Sequence, residues 1–250
     1  MSALADLARL LADLDRAGTT VMALARGGKP PLPWVLYPDE YGIFDRKRHS
    51  QFYYHTHAGA EHEDGHFHTV RLFSNHTVHL VAISMAPTGW PQALFTLNLW
   101  AIGDRYTSPG KLDRYTREYG VDSRKGDVRL VRFINLMFRA FRPEIEALQV
   151  AKGKAIEQYR ATHSGADPFE DRSVEILSRI EIEIPRDLPP SRKSLNLYLL
   201  QIVRSCHRSR LRAGGGPMAL EIRTAAELIA LESGRDEAGT MRALAVTSSD

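Results

Sequence analysis

Four histidines in two closely spaced pairs carry the chemistry of this sequence: His55 and His57 in Tyr53-Tyr54-His55-Thr56-His57, and His66 and His68 in Gly65-His66-Phe67-His68. Side chains alternate along a β-strand, so each pair shares a face. An antiparallel pairing that sets His57 against His66 also sets His55 against His68, and all four imidazoles then stand on one side. Opposite Cβ atoms in such a pairing lie roughly 5 Å apart. That is close enough for several imidazole nitrogens to converge on one metal ion. The ligand set of His55, His57, His66 and His68 holds no thiolate and suits a divalent transition metal such as Zn, Fe or Cu, with Ni and Mn also compatible.

The connection between the pairs adds Glu61, His62, Glu63 and Asp64. A carboxylate there can complete a three-nitrogen, one-oxygen site or act as general base toward metal-bound water, which makes Glu61 and Glu63 the candidate catalytic residues. The competing reading is a solvated polar hairpin, or a cluster whose charge responds to pH. His79 is a further candidate on the same face, toward the far end of the hairpin. In the register implied by a turn at Asn75-His76, Met85 lies opposite His66, where a thioether would favour copper; a core position is the commoner use of such a methionine. His49, His163 and His207 sit among polar residues and are expected at the surface.

The elements that must hold these residues are legible as an α+β pattern. Alternation and β-formers predict four antiparallel strands at about 51–57, 66–73, 78–85 and 92–100, as an antiparallel four-stranded or slightly larger sheet packed with helices. On the fourth, Thr96, Asn98 and Trp100 share a face and could line a pocket. Ser2 caps a helix that carries Leu4, Leu7, Leu11 and Leu14 and ends at Gly18. A shorter helix over about 19–26 ends at Gly27-Gly28. Asp127 caps a helix over about 128–141, and Pro143 opens another to about 161. Asp167-Pro168-Phe169-Glu170 reads as a further helix start, and Ile180, Ile182 and Ile184 alternate as a short strand. Ser194 caps a helix to about 208, in which Cys206 falls at helical spacing from Leu195, Leu199 and Ile202. Gly214-Gly215-Gly216-Pro217 reads as a boundary. The expectation is a domain over 1–213 and a short appendage over 214–250, with one helix at 224–232.

Composition limits the alternatives. The chain has 250 residues, 43% apolar and 25% charged, enough to bury a core without help from a metal. No apolar run is long enough to span a bilayer, and the charged, helical N-terminus is unlike a signal peptide. One cysteine allows no intrachain disulfide. A cytoplasmic protein without membrane contact is therefore expected. The net charge of +3 rests on six cations at 192–212, where there is no acid, and removing those six leaves −3. No nucleic-acid partner is expected from so local a surplus. G-x-S-x-G, P-loop and G-x-G-x-x-G signatures do not occur.

The paired-histidine string, with the later Leu80-Val81-Ala82-Ile83-Ser84-Met85 and Leu94-Phe95-Thr96-x-Asn98-x-Trp100, resembles an uncharacterised bacterial family catalogued as a domain of unknown function, family 6969. The resemblance covers roughly residues 35–185 and implies a shared fold and site, without an activity. The spacing His55-x-His57-x-x-x-Glu61 is also similar to the heart of the first cupin motif. The flanking glycines of that motif are His49 and His68 here, and the second motif has no counterpart beyond Pro87-x-Gly89.

The function expected on these grounds is a mononuclear metal site on a sheet, working as a hydrolase or an oxygen-using metalloenzyme on a small-molecule substrate. The rivals are a non-catalytic metal carrier or sensor, and an interaction protein with a pH-responsive histidine cluster whose basic helix meets an acidic partner.

Overall fold

Six strands build one antiparallel sheet in which each pairs with its neighbour in sequence order, and its central strands are buried on both faces. The computed structural model describes residues 2–57, 63–103 and 105–186, all within one compact unit, residues 1–188. The strands are β1 (Ile43–Asp45), β2 (Ser50–His55), β3 (Gly65–Leu72), β4 (Thr77–Met85), β5 (Pro91–Leu97) and β6 (Ile176–Glu181). The helices are α1 (Ala3–Arg16), α2 (Val21–Arg26), α3 (Leu99–Ile102), α4 (Pro109–Glu118), α5 (Val128–Ala140) and α6 (Arg142–Thr162).

The helix ends follow the capping chemistry. Ser2, Thr20 and Asp127 each accept a hydrogen bond from a backbone N–H of the first turn, at Ala5, Ala23 and Arg129. Gly27 closes α2 in a left-handed conformation. Leu7, Leu10, Leu11 and Leu14 form the buried stripe of α1, and removing each from water contributes about 1.5–3 kcal/mol. Phe52, Tyr54, Phe67, Ile83 and Leu94 turn to the face that joins the helices in the main core, with Phe67 against Phe133 of α5. Tyr53, His55, His66 and His68 alternate with them and therefore face the other way.

Several sequence expectations change. The hairpin register is shifted by two residues from the expected one: His55 pairs with His66, and Tyr53 with His68. Two residues is a full side-chain period, so the histidines keep their common face. His57 lies just beyond the end of β2. Gly65 begins β3 with φ +151, and a Cβ there would crowd the His55 carbonyl oxygen and the Tyr54 hydroxyl. Only glycine admits this close approach of the two strands.

The next turn centres on Ser74-Asn75, with the Phe73 N–H donating to the His76 carbonyl, one residue earlier than expected. A bulge then intervenes: Thr69 pairs with Val81, but Val70 with His79, so Leu80 has no opposite residue. Met85 consequently pairs with Gly65 and is fully buried in the core. The fourth predicted strand ends early, because Asn98 caps α3 through its side chain, and Trp100 belongs to that helix. Thr96 bonds Ser178 on the helix-covered side, so these three residues do not line a common pocket. Asp167-Pro168-Phe169-Glu170 forms an isolated turn, closed by the Glu170 N–H donating to the Asp167 carbonyl, and among the described residues no helix follows it. The last strand begins at Ile176, earlier than expected, and pairs with β5. The predicted helices at 194–208 and 224–232 and the boundary at 214–217 lie outside the described residues.

Candidate functional site

The imidazoles of His55, His66 and His68 point their Nε2 atoms at one another. The three separations are 2.8 Å between His55 and His66, 3.0 Å between His66 and His68, and 3.2 Å between His68 and His55. Cross-strand pairing brings His55 to His66, and the period of two along β3 brings His68 beside it. Two of the triad, His66 and His68, are buried, and His55 is partly so.

Each buried ring is held from behind. His66 Nδ1 lies 2.5 Å from Glu63 Oε1, and the Ser84 hydroxyl donates to the other oxygen of Glu63 at 2.7 Å. Gln92 donates in turn to Ser84 Oγ. His68 Nδ1 lies 3.0 Å from His79 Nε2. An ionised carboxylate only accepts, so Nδ1 of His66 must carry a proton, and in the neutral ring Nε2 then presents a lone pair to the centre of the triad. Burial pushes the Glu63 carboxyl upward, yet its hydrogen bonds from His66 and Ser84 together hold it below the usual range, in the ionised form this requires.

Burial and repulsion from neighbouring groups hold His55, His68 and His79 in the neutral form. His55 is pushed down to about 3, first by burial and then by His66 and His57. His68 is held well below its ordinary value by burial and by the four other histidines around it, His66 and His79 foremost. His79 is lowered likewise by burial, by Lys152 of α6 and by His66. Neutral imidazole is the form that ligates a metal.

His57 stays at the rim. Its ring centre is 4.7 Å from that of His55 and 4.9 Å from that of His66, outside the nitrogen triangle. Burial lowers its pKa, with His66 adding to this, against Glu175 and Glu63. Asp64 is committed elsewhere: it accepts from the Tyr54 hydroxyl at 2.6 Å and pairs with Arg26 at 3.3 Å. Glu61 and His62 lie outside the described residues. His49 and His163 are exposed, as expected. His79 belongs to the cluster more intimately than its spacing suggests, because the bulge at Thr69/Val70 sets it opposite Val70, on the same face as His68 and within 3.0 Å of it. The supporting role of Ser84 escapes sequence reasoning; alternation with Ala82 on β4 is its only signal. Trp34, edge-on to His57 at 4.6 Å, has no such signal, since it arrives from a distant segment.

An antiparallel sheet covered by helices on one face, with a convergent histidine triad on the other, defines an α+β protein with a candidate metal centre. The family model described as "Domain of unknown function (DUF6969)" matches residues 1–182, and the chain belongs to that family. No curated protein and no solved structure matches it. Among the described residues, no helix is long and apolar enough to cross a membrane.

Proposed function

We propose that His55, His66 and His68 hold one divalent transition metal ion, Zn, Fe or Cu, and that the protein is a mononuclear metalloenzyme of hydrolytic or oxygen-using type. The observation that carries this is the Nε2 triangle. Metal–imidazole bonds of about 2.0–2.1 Å leaving one point at tetrahedral or octahedral angles span about 2.8–3.4 Å between nitrogens, the range of the separations found here. Three mutually facing nitrogens with Glu63 fixing one tautomer make a poor hydrogen-bond network and a good ligand set.

The metal would supply Lewis acidity or redox chemistry at a position left open by three protein ligands. In this reading His57, whose ring lies at the rim beside His55 and His66, would move a proton to or from a bound group in place of acting as a fourth ligand. Glu63 orients His66 and keeps its Nε2 basic, and Glu61 is the general base or acid supplied by the connection. A metal carrier or sensor would need no open position.

Elemental analysis of full-length protein purified without a histidine tag tests the proposal. About one transition-metal ion per chain is expected, and metal-free protein that takes up none on exposure to Zn(II), Fe(II) or Cu(II) would refute it. The positioning role of Glu63 has a separate signature. Glu63→Gln keeps the shape but loses the charge, so metal affinity should fall about 10–100-fold, the usual cost of losing an outer-sphere partner. Competition with a chromophoric chelator measures this, and an unchanged affinity would leave Glu63 without that role.

A further inference from the structure

The triad is surrounded by aromatic rings. Tyr53 stacks on His68 with centroids 4.8 Å apart, and Phe95 meets His66 edge-on at 5.2 Å. Trp34 closes the rim, 4.6 Å from His57 and 6.4 Å from His55. Tyr53 and Phe95 are site-face residues of β2 and β5. Trp34 comes from the arm before β1, and its backbone is specifically held: its N–H donates to the Thr56 carbonyl at 3.0 Å, and Pro33 bridges to Thr56. Tyr37 anchors the arm behind it, accepting from the Leu32 N–H and donating to the Pro30 carbonyl.

Two features of Trp34 are unlike packing. It is 69% exposed, with Leu32 and Val35 beside it also exposed. It also adopts φ +67, a left-handed conformation that is costly for a bulky residue and that persists where the surroundings impose it. An indole displayed in strained backbone at the mouth of a histidine triad offers a flat apolar surface to whatever enters. Three neutral imidazoles leave the charge of a divalent ion uncompensated, so the entering group is best anionic.

Building on the metal reading above, we propose that Trp34, Tyr53 and Phe95 form an aromatic subsite for a small planar anion that places its coordinating oxygens on the metal and its aromatic ring against Trp34. Aromatic carboxylates, hydroxamates and phenolates are the class. Trp34 sets the preference for an aromatic over an aliphatic ligand, while the metal supplies the affinity common to both.

The test uses full-length protein reloaded with Co(II) and titrated with benzohydroxamate and acetohydroxamate, which share a chelating group and differ in phenyl against methyl. The visible cobalt spectrum reports binding. Benzohydroxamate is expected to bind the wild type at least about tenfold more tightly. Trp34→Ala should reduce that ratio about three- to tenfold, the range of a single aromatic contact. Acetohydroxamate affinity and cobalt stoichiometry should hold, and Trp34→Phe should restore part of the preference. An equal ratio in wild type and Trp34→Ala overturns the inference, as does cobalt that neither hydroxamate perturbs; in both results the metal reading stands. Failure of the wild type to bind cobalt overturns both. A mass that drops to the monomer in Trp34→Ala, with an unchanged ratio, makes the exposed arm a contact between two copies of the chain and also overturns it.

Discussion

Replacing His55 and His68 together with alanine should abolish metal binding and leave the fold in place. Losing an outer-sphere partner costs about 10–100-fold in affinity, and losing two of three direct ligands must cost far more. Bound metal after dialysis should fall from about one ion per chain to under about a tenth. The fold should survive because the histidines occupy the sheet face opposite the main core: Phe52, Tyr54, Phe67 and Ile83 pack among the helices and touch neither substitution site through their own face. The variant should therefore match chelator-treated wild type in circular dichroism. Its melting temperature should differ from that reference only by the cavities and by the lost contacts of the two rings with His66, His79 and Tyr53. Full metal stoichiometry in the double variant would end the assignment of this triad.

The common face of these histidines was readable in the sequence, and their register was not. Alternation depends only on parity, so a two-residue error in pairing leaves His55, His66 and His68 together. What parity cannot decide is which imidazole is left out. With His55 opposite His66, Gly65 faces the end of β2 and His57 falls beyond the ladder, so the expected set of four becomes three and a rim residue. Gly65 was the available signal, since a glycine immediately before a strand that must approach its partner closely marks where pairing begins. Capped helices were equally legible, because Ser2 and Asp127 act within one turn of chain. Asp167-Pro168 carried the same local signal and failed: the chain after it extends to pair with β5, and strand pairing at Ile176 outweighs a cap worth about 1 kcal/mol. The positions of His79 and Trp34 depended on a bulge and on a distant arm, and neither is encoded within a short window.

The acid response of the protein should differ with and without metal, and that difference separates a metal centre from a cluster that merely senses pH. In the metal-free protein, an unfolded imidazole titrates near 6.5, whereas folded His55 is pushed down to about 3. Above pH 6.5 both states are neutral there and the group contributes nothing. Below it the unfolded chain takes up a proton that the folded chain refuses, so stability is lost as pH falls, by about 2 kcal/mol at pH 5 for His55 alone. His68 and His79 are displaced in the same direction and add to this loss. A bound metal superimposes a second term. It stabilises the folded state by about 2.7 kcal/mol when free metal is a hundredfold above its dissociation constant. Protons displace the metal only where the folded imidazoles accept them. His55 is pushed down to about 3 and His68 is also held well below its ordinary value, so this term should persist to about pH 5 and be lost only as pH falls toward those folded values or the chain unfolds. Melting temperatures of metal-loaded and chelator-treated protein should accordingly stand well apart at pH 7.5 and still differ at about pH 5, although both fall as pH falls. Coincident curves at pH 7.5, with metal in excess, would remove the metal and leave the buried histidines as a pH-responsive cluster.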